Sequence, residues 1–316
     1  MGYAGPPMSG SEDVATKLPT LQVQTVLYGT ERSAIDRFIQ SVWAASQLAI
    51  AEGSIASALL RIGDSSPEPL ITPQDLAGAV EGGPFTDATY LYFGANLGSG
   101  GGHNRLFAQS GADLFLVMNP DTYASPRLVI ELCAALSDPS VGIAEARQLP
   151  LEHPKAHDQA SGDTSWASGS CMLVRSEVIA TTGGFDPEYF FLYGDDVDFS
   201  WRTRLAGWRV VHCPSARVFH DKRLTPTGFV EPAESELRYS AEASVLLPWR
   251  YSRRDLAMMQ LEVLEQSPDE MHRSVAADLR SRISTGRMPE EIDPDHRVGQ
   301  FIGGEYAVHR FSYAEP

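Results

Sequence analysis

Three acids crowd into four positions at Asp195, Asp196 and Asp198, between the aromatic residues Phe190, Phe191 and Tyr193 and a stretch with helical spacing. Carboxylates this close in an apolar setting need partners or a ligand. Residues 197–206 suit a helix stopped by Gly207, with Asp198 and Arg202 spaced i,i+4 on one face. Asp195 and Asp196 then fall at its amino end, where backbone N–H groups and the helix dipole favour ionised carboxylates able to act as a base or a metal ligand. A helix cap needs only one acid, so a second beside it points to chemistry as well as capping. Asp121 is a second candidate. It follows the apolar run 114–118 in Asn119-Pro120-Asp121-Thr122, and an acid at the carboxyl end of a buried strand is rigid enough to hold a hard cation. His220 ends the strand pattern Val218-Phe219-His220, where imidazole suits Mn or a similar divalent ion, or a core hydrogen bond. His153 and His157 lie in a polar stretch, 146–165, and are expected to be solvated.

The elements that must position these groups alternate between strand and helix patterns. Residues 21–28 read as a strand, and Ile35, Phe38, Ile39 and Val42 give the following helix one apolar face up to Gly53. Residues 55–62 form a second apolar run ending in the polar turn Gly63-Asp64-Ser65-Ser66. A short helix is expected at 73–80, a strand at 90–93 and a glycine-rich loop from Gly94 that becomes helical at Asn104. That loop fails the dinucleotide spacing, because His103 stands where the last glycine should be. Beyond the strand at 114–118, a helix at 126–136, strands at 141–144 and 208–211, a small-residue turn feeding an apolar strand within 166–174 and a short helix at 177–181 complete the pattern. Helices at 234–247, 256–264 and 271–283 follow. The alternation predicts an α/β domain at 20–231, preceded by a flexible arm at 1–19 and followed by a helical appendage at 232–316 that binds an acceptor or mediates self-association.

A chain of 316 residues can bury a substantial core. Its net charge of −16 and isoelectric point near 4.9 exclude a phosphate-tracking surface, so no nucleic-acid partner is expected. Cys133, Cys171 and Cys213 are too few and too scattered for a disulfide framework and point to a reducing compartment. No basic leader precedes an apolar run, and no apolar stretch reaches the roughly 18 residues of a membrane span. The expectation is a cytoplasmic protein, with peripheral contact at the inner face of a membrane and oligomerisation both compatible.

The segments NLGSGGGHN, LVMNPDT, SGSCMLVR, GGFDPEYFFLYGDDVDFSWRTRLAGWRVV and VFH occur in that order. Together, over about residues 21–223, they resemble inverting GT-A family 2 glycosyltransferases, in particular the rhamnosyltransferase-like branch related to galactofuranosyltransferases. The resemblance implies a GT-A, Rossmann-like fold with a mixed, mostly parallel sheet, and transfer of a sugar from a dTDP- or UDP-sugar, with rhamnose or galactofuranose as candidates. The acceptor would be a hydroxyl on a glycan, a lipid-linked saccharide or a small molecule. Asp196 takes the position of the general base. Asp121 and His220 take that of the ligands to a Mg or Mn ion, and Asn119 opens the motif in place of an acid, adding no charge. Tyr28, Gly29, Thr30, Asp64, Asn96, Gly101, Asn104, Asn119 and Asp121 are assigned to the nucleotide sugar, and Trp166 and Asp195 to the acceptor side. LYGT and GDSS depart from the family's usual turns at the first two strand ends, which leaves the nucleotide contacts less defined than the acid pair. Two other classes fit the same acids: a nucleotidyltransferase-like enzyme, and a binding module for nucleotide sugars without turnover.

Overall fold

A computed structural model of the chain describes residues 17–222 and 232–307. The expected boundary at 231/232 and most of the amino-terminal arm lie outside the described residues. Eight strands form one sheet: β1 (Thr20–Leu27), β2 (Ser57–Asp64), β3 (Phe85–Tyr92), β4 (Leu114–Met118), β5 (Thr122–Ala124), β6 (Val141–Leu149), β7 (Cys171–Arg175) and β8 (Arg209–His220). Their spatial order is β3-β2-β1-β4-β7-β6-β8-β5. β3, β2, β1 and β4 run parallel, as do β6 and β8, whereas β7 and β5 run antiparallel to their neighbours, giving the mixed, mostly parallel sheet expected. β1 therefore has β2 on one side and β4 on the other. This reversal of strand order opens a crevice at the carboxyl ends of the strands, where sheets of this kind bind ligands.

Helices cover both faces. α1 (Arg32–Ala51), α2 (Pro73–Val80) and α4 (Leu128–Ala135) bury Ile35, Phe38, Leu76 and Leu132 against Leu21, Val23 and Leu60. On the other face, α3 (Gly98–Phe107), α5 (Ser176–Thr182) and α6 (Asp195–Leu205) pack Phe107, Val178 and Phe199 around Phe115 and Val117. α2 falls where the sequence predicts, because Thr72 and Asp75 form a reciprocal cap and Pro73 opens the first turn.

Two elements differ from expectation. α3 starts at Gly98 rather than near Asn104, so the glycines belong to a helix instead of a loop. They let the helix lie against the sheet: a Cβ at Gly102 would come within 2.7 Å of Val26, and one at Gly100 within 2.7 Å of Phe185. Gln22 and Gln24 of β1 complete the contact, donating to the Leu106 carbonyl at 2.9 Å and to His103 Nδ1 at 2.9 Å. β8 is one continuous strand from Arg209 to His220, not two, because the register with β6 jumps between Ala146 and Arg147 and residues 214–216 are accommodated as a bulge. That bulge delivers His220 to the same sheet end as Asp121, since Thr122 pairs directly with His220.

α7 (Glu234–Arg250), α8 (Arg254–Gln266) and α9 (Glu270–Ser284) share one hydrophobic cluster with α6, in which Trp201 and Tyr251 meet edge to face at 4.7 Å beside Phe190, Val197 and Trp166. Met258 joins this cluster, whereas Met259 is exposed. Asp198 fixes the junction. It is fully buried, accepts from Arg202 Nε at 2.8 Å and from the Tyr251 hydroxyl at 3.1 Å, and pairs with Arg250 Nε at 3.1 Å. Among the described residues no helix is long and apolar enough to cross a membrane.

Candidate active site

A cavity of about 850 Å³ opens at the carboxyl ends of β1 and β4 and continues to the start of α6 and the side of α7. Ten of the residues singled out in the sequence line it: Tyr28, Gly29, Thr30, Asn96, Asn119, Asp121, Trp166, Asp195, Asp196 and His220. Tyr28 is 58% exposed at the end of β1 and offers a free aromatic face. Gly29 is tied to the neighbouring strand end through Ser66 Oγ at 3.0 Å.

Three residues assigned to the nucleotide sugar are not among those that line the cavity. Asp64 is fully buried, and its carboxylate accepts from Ser66 N at 2.8 Å, Leu70 N at 2.9 Å and the Tyr90 hydroxyl at 2.6 Å, so it builds the turn after β2 rather than facing the cavity. Asn104 exchanges two hydrogen bonds with the Phe185 backbone. Gly101 faces Pro187 and Leu97.

α6 starts at Asp195, two residues earlier than the sequence suggests, so the acid pair sits within its first turn. The chain reaches it through Tyr193 and Gly194, both with positive φ (61° and 74°), and residues held in this region tend to mark functional sites. Asp196 Oδ2 accepts from Gly169 N at 2.9 Å and Oδ1 from Val197 N at 2.9 Å. The expectation that the helix start simply holds both acids ionised is corrected. Burial and the charge of Asp196 push the Asp195 carboxyl up to about 8. Burial also raises Asp196, against its two backbone N–H donors and the Lys155 ammonium. Two buried carboxylates side by side cannot both ionise cheaply, so the pair titrates as a unit, and the Gly169 and Val197 N–H donors and the Lys155 ammonium favour the ionised form on Asp196.

In the same cavity, His220 Nε2 lies 3.3 Å from Asp121 Oδ2. His220 Nδ1 is 2.9 Å from the Gln148 amide oxygen, which can only accept, so Nδ1 carries a hydrogen and Nε2 is the nitrogen turned to the carboxylate. One oxygen and one imidazole nitrogen at this separation fit two adjacent positions on a divalent cation such as Mg or Mn. Among the described residues no three His, Cys, Asp or Glu side chains converge on one point, so a cation here would take its remaining ligands from a bound diphosphate or water.

Several lining residues carry no sequence signal. His153, expected to be solvated, lines the cavity and meets Trp166 edge to face at 5.4 Å. His157 instead stacks near His212, with ring centroids 4.7 Å apart, on a different surface of the sheet. Phe191 and Tyr239 pair at 5.3 Å, and Tyr306 reaches the cavity from the carboxyl-terminal segment, where burial and then the acid pair raise its phenol. His103, also at the cavity, is buried and held neutral, its imidazolium form pushed down to about 3 by desolvation.

The model of the glycosyltransferase like family 2 matches residues 153–238, which include the acid pair and the loop that holds it. N-acetylglucosaminyl-diphospho-decaprenol L-rhamnosyltransferase of Mycobacterium tuberculosis is 31% identical over 198 residues, covering 46% of this chain and 64% of that protein. Rhamnosyltransferase WbbL of Escherichia coli strain K12 is 30% identical over 105 residues, 32% of this chain and 39% of its own length. The chain thus spans less than two thirds of each of these relatives. Among solved structures, the mannosyltransferase PcManGT from Pyrobaculum calidifontis, in complex with GDP-Man and Mn2+, superposes with a TM-score of 0.53 at 15% identity, over 86% of this chain and 81% of that one. That likeness speaks to the fold alone. Taken with the ordered motifs and the mixed sheet, these matches show a GT-A fold whose residues 153–238 are similar to the glycosyltransferase like family 2.

Proposed function

We propose that this chain is an inverting, metal-dependent glycosyltransferase that moves a sugar from a nucleoside diphosphate onto an acceptor hydroxyl. The observation that carries the reading is that the Asp196 carboxylate and the Asp121–His220 pair face one cavity from different elements. The rhamnosyltransferase relatives favour rhamnose as the sugar and a lipid-linked saccharide as the acceptor. Tyr28, Gly29, Thr30, Asn96 and Asn119 flank the donor end of the cavity, whereas Trp166 and Asp195 lie on its acceptor side. When bound between Asp121 and His220, a Mg or Mn ion supplies positive charge to the diphosphate.

Asp196 accepts the acceptor's proton as the acceptor oxygen forms its bond to the anomeric carbon and the bond from that carbon to the diphosphate oxygen breaks. Help of this kind is worth on the order of 10²–10⁴-fold. Its raised proton affinity suits the role, because a base poised nearer neutrality than an ordinary carboxylate takes the proton more readily. A single displacement with no carboxylate nucleophile inverts the anomeric centre.

The test is a screen of dTDP- and UDP-sugars with Mg or Mn, read by release of the nucleoside diphosphate. Release of dTDP or UDP that EDTA abolishes is expected, and Asp121→Ala should weaken metal-dependent donor binding by about tenfold or more. Release of pyrophosphate instead would assign the chain to nucleotidyl transfer. An unaltered metal requirement in Asp121→Ala would reject that ligand.

A further inference from the structure

The loop 166–170 presents the N–H that holds the base, yet it has no regular structure of its own and is fixed from outside, at its end by Asn119 N donating to the Ser170 carbonyl at 3.0 Å and before that at four further points. Lys155 Nζ donates to the Trp166 carbonyl at 2.6 Å and lies 4.0 Å over the centre of the Trp166 ring. Ala167 N donates to Ser200 Oγ at 3.0 Å, Ser168 N to Glu145 Oε1 at 2.8 Å, and Gly169 N to Asp196 Oδ2 at 2.9 Å. Two of these anchors come from one ion pair, Lys155 and Glu145, in contact at 2.7 Å with side chains only 10% and 3% exposed. A buried pair of opposite charges is expensive to desolvate and seldom maintained for stability alone. Burial would push Glu145 up, but Lys155 and His212 outweigh it and hold the carboxyl below its usual range, so the pair is charged.

Resting on the reading of Asp196 as the base, we propose that Glu145 and Lys155 are positioning residues for it: they lock the 166–170 loop so that Gly169 faces Asp196, and place one positive and one negative charge behind the base. Neither residue lines the cavity. They act through the Trp166 carbonyl and ring, the Ser168 amide and their own fields. The other ionisable groups acting on Asp196 are its neighbour Asp195 on α6 and Tyr306 from the carboxyl-terminal segment, with His153 sharing the same cavity.

The two charges bear on Asp196 with opposite sign. Lys155 stabilises its ionised form and Glu145 opposes it. A purely structural pair has no such asymmetry, since loosening the loop from either end would lower turnover without separating the two variants along the pH axis. The experiment compares the full chain with Lys155→Met, Glu145→Gln and the double variant. Gln at 145 retains an oxygen to accept from Ser168 and Lys155.

The first readout is the pH dependence of kcat/KM for dTDP release, with dTDP-rhamnose as donor and octyl N-acetylglucosaminide as acceptor. The second is an NMR titration of Asp196 in protein labelled at the aspartate carboxyl carbon, assigned by difference from Asp196→Asn. The acid limb and the Asp196 titration should move up by about half a pH unit or more in Lys155→Met, move down in Glu145→Gln, and return close to the original position in the double variant. Limbs that stay fixed, or that move in the same direction in both single variants, would overturn the proposal. If these substrates do not turn over, the donor assignment has failed, while the NMR titration still decides whether the pair acts on Asp196. If Lys155→Met does not fold, the downward shift in Glu145→Gln and its reversal in the double variant carry the same decision.

Discussion

Of the three clustered acids, Asp198 should be the one whose loss chiefly destabilises the fold. Its side chain is fully shielded and faces the Arg202 and Arg250 guanidinium groups and the Tyr251 hydroxyl. Asp198→Asn preserves shape but leaves two buried cations short of a counter-charge, a defect worth about 3–5 kcal/mol. Each guanidinium retains other partners, which places the cost at the low end. Arg250 still pairs with Asp186 at 2.6 Å, and Arg202 still donates to the Thr182 and Gly184 carbonyls at 2.8 and 2.7 Å. At roughly 2 cal/mol/K of unfolding entropy per residue, about 3 kcal/mol in a chain of this length corresponds to a fall in Tm of about 4–5 °C. Circular dichroism through thermal unfolding measures it, and nucleoside diphosphate binding at low temperature should be unchanged, because Asp198 does not reach the cavity. A Tm within about 1 °C of the parent would refute the argument that this cluster fastens α7 to α6.

Two further variants probe the approach to the acid pair. Asp195 has a higher proton affinity folded (pushed up to about 8) than unfolded, so the folded state binds the extra proton and stability falls as pH rises from about 4 towards 8. The advantage of Asp195→Asn over the parent should therefore grow between about pH 5 and pH 8, by on the order of 2 kcal/mol, and denaturant titrations at the two pH values that showed a constant difference would contradict it. Gly194→Ala forces a side chain into positive φ with its Cβ 2.8 Å from that of Ala243, so a loss of about 2 kcal/mol or more is expected together with reduced transfer. Unchanged Tm and unchanged kcat would show that this bend is not needed.

What the sequence discloses, and what it withholds, follows the reach of each interaction. β4 is legible because all five of its side chains are buried, and α2 because its cap is local. Asp121, Asp196 and His220 are legible as chemistry-bearing residues, although only the sheet brings segments so distant in the chain to one cavity. α3 is misread because glycines usually end helices, while here the missing side chains are what the packing against Val26 and Phe185 demands. Asp64 resembles a ligand contact until its three internal donors are seen, and Asp198 is indistinguishable from its neighbours until two arginines surround it. Glu145, Lys155 and Tyr306 act through contacts between distant segments, which no local pattern records.

The most direct measurement is Asp196→Asn, assayed in parallel for metal-dependent binding of a nucleotide sugar by calorimetry and for sugar transfer by nucleoside diphosphate release. Because its carboxylate is held by Gly169 and Val197 and takes no part in the Asp121–His220 pair, donor affinity should stay within a few-fold while transfer falls by about 10²-fold or more. Transfer close to the parental rate would place the base elsewhere and contradict the account.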